Sequence, residues 1–480
     1  SFLILAVTVI ALLRNVFGLI TYGVFGPAII SMGVTIIGNI FIGLGVIFTI
    51  IALGLVIRSL LEPLELQMTN RMAIIVITVV ATMGILKYIG FMFGNDPLTL
   101  ATFLPILISA WIVERFMRDR QESGLKTSFK RLGFTVIAVL ASYLILSETA
   151  FMDYFIYTPE LWILPVVINL LIGSVIQVRL SEYFRFGRLV KTRTNGGEKR
   201  DFSEVLTVNV RNRDFINRYN KPNLFPKITK LDVKENLQKA GIPVPKTLAV
   251  FDSRRDMKGL ESTLKSLPTE KGFVIKPNNS YGGRGISVIK RRNGDAFEKV
   301  DGETISLEEI KHQLEATLDG EYSGRWLPDK GFIEELITAD PEMAMLSYSG
   351  LPDVRVIVFR GIPVMAMARL PTKKSNGKAN LHQGAIGAGI DLTTGKIANA
   401  VVAYQKEPIA QHPDNSTALV GKQIPYWEEI LNIAVASQKA TGLGYAGVDT
   451  VIDKDKGPLV MEVNKRPGME IQNANGQPLL

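Results

Sequence analysis

The apolar residues of this chain are spread so unevenly that its two parts call for different solvents. Residues 1–188 consist of long apolar runs with 13 Lys and Arg and 10 Asp and Glu, while residues 189–480 carry 41 and 35. The runs fall at about 1–13, 16–34, 36–60, 72–93, 98–114, 132–150 and 159–178. Each of the last six approaches the roughly 20 residues that cross a hydrocarbon core. Gly18, Gly23, Gly26 and Pro27 interrupt the second run. The expectation is therefore seven spans, or six plus a re-entrant piece whose freed backbone groups are covered by neighbours. Residues 189–480 read as an ordinary water-soluble α/β sequence.

Cationic side chains set the expected orientation. Arg14, then Arg58 and Arg71, then Arg115 to Arg131, then Arg179 to Arg193 occupy every other break, and the breaks between them carry none. Those breaks are expected to face the cytoplasm, which puts the C-terminal part where ATP is. Lys87 lies within a run, and a polar segment two turns on lets it snorkel to the interface. Ser1 begins inside an apolar run with no basic start or cleavage site, so we expect a first helix cut short. The end at Gly476–Leu480 is equally abrupt.

The formal charge is +9, without a basic tail or Arg-rich helix, which argues against nucleic acid. Cysteine is absent, excluding disulfides and thiolate chemistry. Three histidines, His312, His382 and His412, are too few for a His-rich metal centre.

In the soluble part, Gly241 and Pro243 mark a helix end. Leu248–Phe251 and Phe273–Lys276 read as strands, and Val354–Phe359 with Pro363–Arg369 as a hairpin through Arg360-Gly361. Trp427–Thr441 is helical, and Val448–Ile452 and Leu459–Val463 are paired strands. This mixture predicts α+β lobes rather than a doubly wound sheet. The Gly442–Gly447 spacing fits a dinucleotide loop but follows a helix rather than a strand, so that reading fails, and no P-loop glycine pattern is present.

Four constellations carry chemistry. Lys276 ends a strand and is followed by Ser280, Gly282, Gly283 and Gly285, a loop able to present backbone N–H groups to phosphates. Asp449 precedes Glu462 and Asn464, which share one strand face; two carboxylates and an amide suit Mg²⁺. Arg355 and Arg369 converge across the hairpin near Asn380 and His382, where they neutralise phosphoryl charge. Gly331–Ile337, with Glu334, Glu335 and Leu336, is an extended segment of the kind adenine hydrogen-bonds.

Taken in order, these features resemble an ATP-grasp protein, and more narrowly the alpha-L-glutamate ligase-like proteins of the RimK type, over about 203–480. The likeness rests on stretches such as Gly282-Gly-Arg-Gly-Ile286, Leu351-Pro-Asp353-Val-Arg355 and Glu462-Val-Asn464-Lys-Arg466-Pro-Gly468. Residues 1–188 resemble the seven-transmembrane region usually fused to an inactive, periplasmic transglutaminase-like domain, on Phe25-Gly-Pro27, Gly54-Leu-Val-Ile-Arg58 and Ile112-Val-Glu114-Arg115 among others.

The resemblance implies a membrane domain at 1–188, a linker at 189–202 and an ATP-grasp ligase at 203–480. ATP would be contacted by Lys230, Lys276 and the loop at Ser280, Gly282, Gly283 and Gly285, with adenine held largely by the backbone of Glu334, Glu335 and Leu336. Asp449, Glu462 and Asn464 would hold two Mg²⁺, with Mn²⁺ as an alternative. Arg355, Arg369 and Asn380 would face the acyl phosphate, and His382 and Arg466 the substrate. The family's aspartate before the first lysine is Thr229 here. The implied activity is a membrane-tethered, ATP-dependent carboxylate-amine ligase of the bacterial inner membrane, adding glutamate or a similar amino acid to a small-molecule or peptide carboxylate. A transglutaminase-like partner outside the membrane accompanies that picture. Two other readings fit the sequence: a transporter or sensor with a regulatory nucleotide-binding domain, and a phosphotransferase of the same fold.

Overall fold

The computed structural model describes residues 2–480 except 62–63, 65–67, 93–107, 109–110, 118, 121–123, 192–199, 269–270, 281, 295, 324–326 and 403–406. The chain forms two compact units, Ser1–Phe184 and Arg185–Leu480. The boundary and the expected 188/189 both fall within a single helix, Leu180–Lys191.

The first unit is helical. Its helices include Phe2–Leu12, Phe25–Ile37, Ile40–Leu61, Met68–Met92, Leu125–Leu146, Thr149–Tyr157 and Ile163–Val175. Among the described residues, Ile40–Leu61, Leu125–Leu146 and Pro159–Lys191 are long and apolar enough to cross a membrane. The second run is broken as its glycines predict. A short π-helical turn stops at Gly18 (φ 80°), and the helix resumes only at Phe25, after Gly23 (φ 78°). The run expected at 132–150 starts earlier, at Leu125, and ends at Leu146. Lys126, Lys130 and Arg131 therefore lie on the helix instead of in a loop, since long cationic side chains can occupy a helix end at the interface. Most of the 98–114 run lies outside the described residues.

Glu114, at the end of the expected 98–114 run, is 3% exposed, and Arg58 (Nε, 3.3 Å) and Arg71 (Nη2, 3.0 Å) both ion-pair with it. A bundle interior accepts a carboxylate only when cations neutralise it. Gly54 lets the chain come close beside this cluster, because a Cβ there would stand 2.8 Å from Val113 Cγ2.

The second unit holds two six-stranded antiparallel sheets. One comprises β1 (Thr247–Phe251), β2 (Phe273–Pro277), β3 (Ser287–Asn293), β4 (Ala296–Lys299), β5 (Thr304–Ser306) and β6 (Gly331–Glu335), in the order β1-β6-β2-β3-β4-β5. The other comprises β7 (Asp353–Phe359), β8 (Ile362–Leu370), β9 (Ile386–Ile390), β10 (Ile397–Val402), β11 (Tyr445–Asp453) and β12 (Gly457–Asn464), in the order β10-β9-β8-β7-β11-β12. The β7–β8 turn is the one expected: Arg360 (φ 49°) and Gly361 (φ 84°) both have positive φ, which matches the strand twist of a tight hairpin. The α+β expectation holds.

Strand periodicity separates core from site. In β7, Val354, Val356 and Val358 enter a core shared with Ile430 and Ala434 of the Trp427–Thr441 helix. Asp353, Arg355 and Ile357 therefore point to the opposite face. Ile357 packs there with Met365, Met367 and Tyr445, so charged residues end a strip that is otherwise apolar.

Candidate active site

The charged end of that strip is built by register. Asp353 stands opposite Arg369 on β8, Arg355 opposite Asp449 on β11, and Asp449 opposite Glu462 on β12. Cross-strand partners share a face, so four strands deliver one row of charges. Arg355 grips Asp449 through Nε–Oδ1 and Nη2–Oδ2, each 2.6 Å. Arg369 forks onto Asp353 and also reaches Asp449 Oδ2 at 2.8 Å. Asn464 Nδ2 donates to the same oxygen at 3.0 Å. Burial alone would raise the Asp449 carboxyl, but Arg355 and Arg369 outweigh it and hold it below the ordinary carboxylate range. Burial pushes Asp353 up to about 6; Arg369 opposes this and Asp449 adds to it.

A second cluster lies on the other sheet. Phe273, Ile275 and Ile333 enter that sheet's core. The alternate residues Lys276 and Phe332, which are cross-strand partners, share the opposite face with Glu334. Glu334 is 3% exposed, and its carboxylate takes Lys276 on Oε1 and Lys234 Nζ on Oε2, the latter at 2.6 Å. Burial would raise Glu334, yet Lys276 and Lys234 hold it below its ordinary value.

Lys234 lies one turn beyond Lys230 on the Lys230–Lys239 helix, and its ammonium sits 5.4 Å from the centre of the Phe332 ring. Lys230 Nζ donates to the Ser280 carbonyl at 2.7 Å. Burial lowers the Lys230 pKa, while Glu462 acts in the opposite sense, so this lysine senses both clusters. Thr229 caps its helix: Oγ1 accepts from Asp232 N at 3.2 Å and donates to Asp232 Oδ2 at 2.7 Å. Threonine in place of aspartate therefore keeps the cap that positions Lys230.

In the glycine loop, Gly282, Gly283 and Gly285 all have positive φ. Only Gly285 is also sterically confined, since a Cβ there would meet Tyr322 and Pro277 within 2.7 Å. Gln313 anchors the loop by donating to the Gly285 carbonyl at 2.7 Å. Ser280 Oγ is buried and has no hydrogen-bond partner among the described residues. An orphaned hydroxyl beside a backbone nest fits an incoming phosphate oxygen.

The remaining expected residues lie further out. Glu335 binds Lys456 (2.5 Å) and Lys246 N (2.8 Å) with its carboxylate, while its own N–H donates to Lys246 O. The Leu336 N–H donates to Gly272 O. Asn380 caps its own turn, accepting from His382 N at 3.0 Å. His382 is exposed, within electrostatic reach of Glu470, Arg185 and Arg355. The Arg466 guanidinium lies 5.4 Å from the Phe225 ring centre. Sequence reading missed Lys234 and the side-chain role of Glu334; the i, i+4 spacing of Lys230 and Lys234 was the available signal.

The donor set suits a hard cation. Glu462 makes no hydrogen bond or ion pair among the described residues, Asn464 keeps its amide oxygen, and Asp449 Oδ1 accepts a single bond and retains a lone pair. Among the described residues no group of three or more His, Asp or Glu side chains is placed to hold a metal ion by itself.

Comparison with known proteins follows the same division. Residues 2–190 match the family described as seven transmembrane helices usually fused to an inactive transglutaminase, and residues 210–480 match the sugar-transfer associated ATP-grasp family. With its apolar helices, the first part makes this a membrane protein. A probable alpha-L-glutamate ligase of Aliivibrio salmonicida is 39% identical over 244 residues, 49% of this chain and 63% of the relative. That of Marinobacter nauticus is 26% identical over 245 residues, with the same two shares. The chain thus spans less than two thirds of these relatives, whose names bear out the resemblance seen in the motifs. The solved ATP-grasp ligase PsnB, complexed with a precursor variant, Mg and ADP, is 17% identical, with 53% of this chain and 55% of that one covered. Its TM-score is 0.29. With more than half of its length matched, the chain belongs to the sugar-transfer associated ATP-grasp family.

Proposed function

We propose that the second unit is an ATP-dependent carboxylate-amine ligase tethered to the bacterial inner membrane, with its site on the cytoplasmic side. The observation that carries this reading is the row Asp353–Arg369–Asp449–Arg355, flanked by Glu462 and Asn464, with Lys230, which donates to the Ser280 carbonyl, within electrostatic reach of Glu462. Cations and oxygen donors on facing elements suit a triphosphate, and relatives named alpha-L-glutamate ligases support an amino acid such as glutamate as the amine.

The reaction has two steps. A substrate carboxylate oxygen attacks the γ-phosphorus and ADP leaves; the amine nitrogen then attacks the acyl carbon, loses a proton and expels phosphate. Lys230, Lys276 and the Ser280–Gly285 loop would bind the triphosphate, and Arg355 and Arg369 would neutralise the charge that develops in transfer. Mg²⁺, held by Glu462, Asn464 and Asp449 Oδ1, would screen the phosphate oxygens. Asp353 keeps the Arg369 fork in plane, so its geometry is set before substrate arrives.

The test is ATP turnover by the full chain in lipid nanodiscs with Mg²⁺ and pooled amino acids, following ADP, phosphate and product mass beside Glu462→Ala. Amino-acid-dependent phosphate release with a condensed product, lost in the variant, is the expected result. ATP binding without turnover in any pool overturns the ligase reading.

A further inference from the structure

The helix Leu180–Lys191 begins in the first unit and ends in the second. Its second half is docked on the ligase unit, not suspended from it. Phe186 and Leu189 are fully buried against Val205 and Met469. Met469 follows the β12 strand of Glu462 and Asn464 by a short loop. The next residue, Glu470, is 8% exposed; its Oε1 accepts from Arg185 Nε at 2.6 Å and its Oε2 from Asn473 Nδ2 at 2.7 Å.

This pairing fixes the Arg185 guanidinium but does not saturate it. Nε is the only nitrogen with a partner among the described residues, and the side chain is 29% exposed. A guanidinium held through Nε by one carboxylate keeps its two-Nη edge for another oxyanion, in the planar geometry that binds carboxylates bidentately. That edge belongs to a group that lies within electrostatic reach of His382, as does Arg355 of the charged row. Arg185 and Arg355 thus both lie within electrostatic reach of His382, beside the phosphate-binding row, where a substrate's non-reacting charge would sit.

We propose that Arg185 is a substrate-side residue, binding through its Nη edge a carboxylate that does not react, carried by the amino-acid substrate. This rests on the ligase reading above and extends it. The helix leaving the membrane part would then be a component of the substrate site, and Glu470 the residue that positions Arg185.

The test uses the full chain in nanodiscs, with L-glutamate titrated calorimetrically in the presence of Mg²⁺ and a non-hydrolysable ATP analogue. Arg185→Met is expected to weaken glutamate about 10- to 100-fold, the loss of a charge-assisted pair, while leaving the analogue's affinity within about twofold. Glu470→Gln keeps the guanidinium, so it should lower the melting temperature as Arg185→Met does but cost glutamate affinity far less. L-Glutamine, which has the α-carboxylate alone, identifies which carboxylate is held: it competes equally if that is the α-carboxylate and fails if it is the side-chain one. Equal effects of the two variants on glutamate, or none from either, make the pair a docking strut and overturn the proposal. A wild-type protein that binds the analogue but not glutamate overturns it too and leaves the ligase reading standing, whereas failure to bind the analogue removes the ligase reading itself.

Discussion

Arg355 and Asp449 face each other across two adjacent strands and are joined by two parallel hydrogen bonds, each 2.6 Å. The pair links the two halves of the proposed chemistry, because Asp449 also borders Glu462 and Asn464 while Arg355 is the residue proposed to neutralise the transferring phosphate. A lysine keeps the charge and loses the fork. Arg355→Lys should therefore lower kcat about 10²-fold with little change in the KM for ATP. Steady-state kinetics check this, and a change confined to KM would contradict it.

Glu462 makes no hydrogen bond or ion pair among the described residues and acts on Lys230 and Arg369 only through longer-range electrostatics, so the folded protein loses little when its charge is removed. For Glu462→Gln we expect a melting temperature close to wild type, a stability change within about 0.5 kcal/mol, and a sharp rise in the Mg²⁺ concentration needed for turnover. A large stability loss with an unchanged Mg²⁺ requirement would assign Glu462 to structure.

Lys234 shares the Glu334 carboxylate with Lys276. Removing it as Lys234→Met breaks one of two buried pairs and leaves Lys276 as the sole counterion of Glu334, so the cost should stay below the roughly 3–5 kcal/mol of a fully uncompensated buried charge. Lys276 is then held more firmly away from phosphate, so the KM for ATP should rise. The double variant Lys234→Met/Glu334→Gln should recover part of both losses.

Stability should depend on acid through Glu334, whose pKa is held below the ordinary 4.5. A carboxyl with a depressed folded-state pKa contributes stability that is complete above its unfolded value and is lost as pH falls through the folded one. Melting temperatures of wild type and Glu334→Gln should keep a constant gap down to about pH 5 and converge below it.

Two loop glycines should behave differently. Gly282 and Gly285 both have positive φ, but only at Gly285 would a Cβ run into neighbours, Tyr322 Cδ2 at 2.6 Å and Pro277 Cγ at 2.7 Å. Gly285→Ala should cost stability and raise the KM for ATP, whereas Gly282→Ala should cost only the strain of its φ, about 1 kcal/mol.

Local signals made much of this legible in the sequence. Apolar run lengths gave the membrane part, and the Arg360-Gly361 pair gave the hairpin. The helix Trp427–Thr441 runs to its expected ends because its periodic apolar face stops at Gly442, which has φ 71°. The candidate site residues were recognisable because phosphate and Mg²⁺ chemistry restrict residue type as well as spacing.

Tertiary structure alone decided which charges meet. Glu114 reads as a charge at the end of an apolar run, yet two arginines from other segments bury it. Glu334 reads as one more polar residue on an adenine-binding strand, yet two lysines converge on its side chain, one of them from a helix a hundred residues earlier. Arg185 reads as one of several cations in the break after the last apolar run, yet it pairs with Glu470 across 285 residues of chain. Periodicity and residue type are local properties, fixed by the backbone geometry of each element. The neutralisation of a buried charge depends on which distant elements the fold brings within a few ångströms, and no local pattern encodes that.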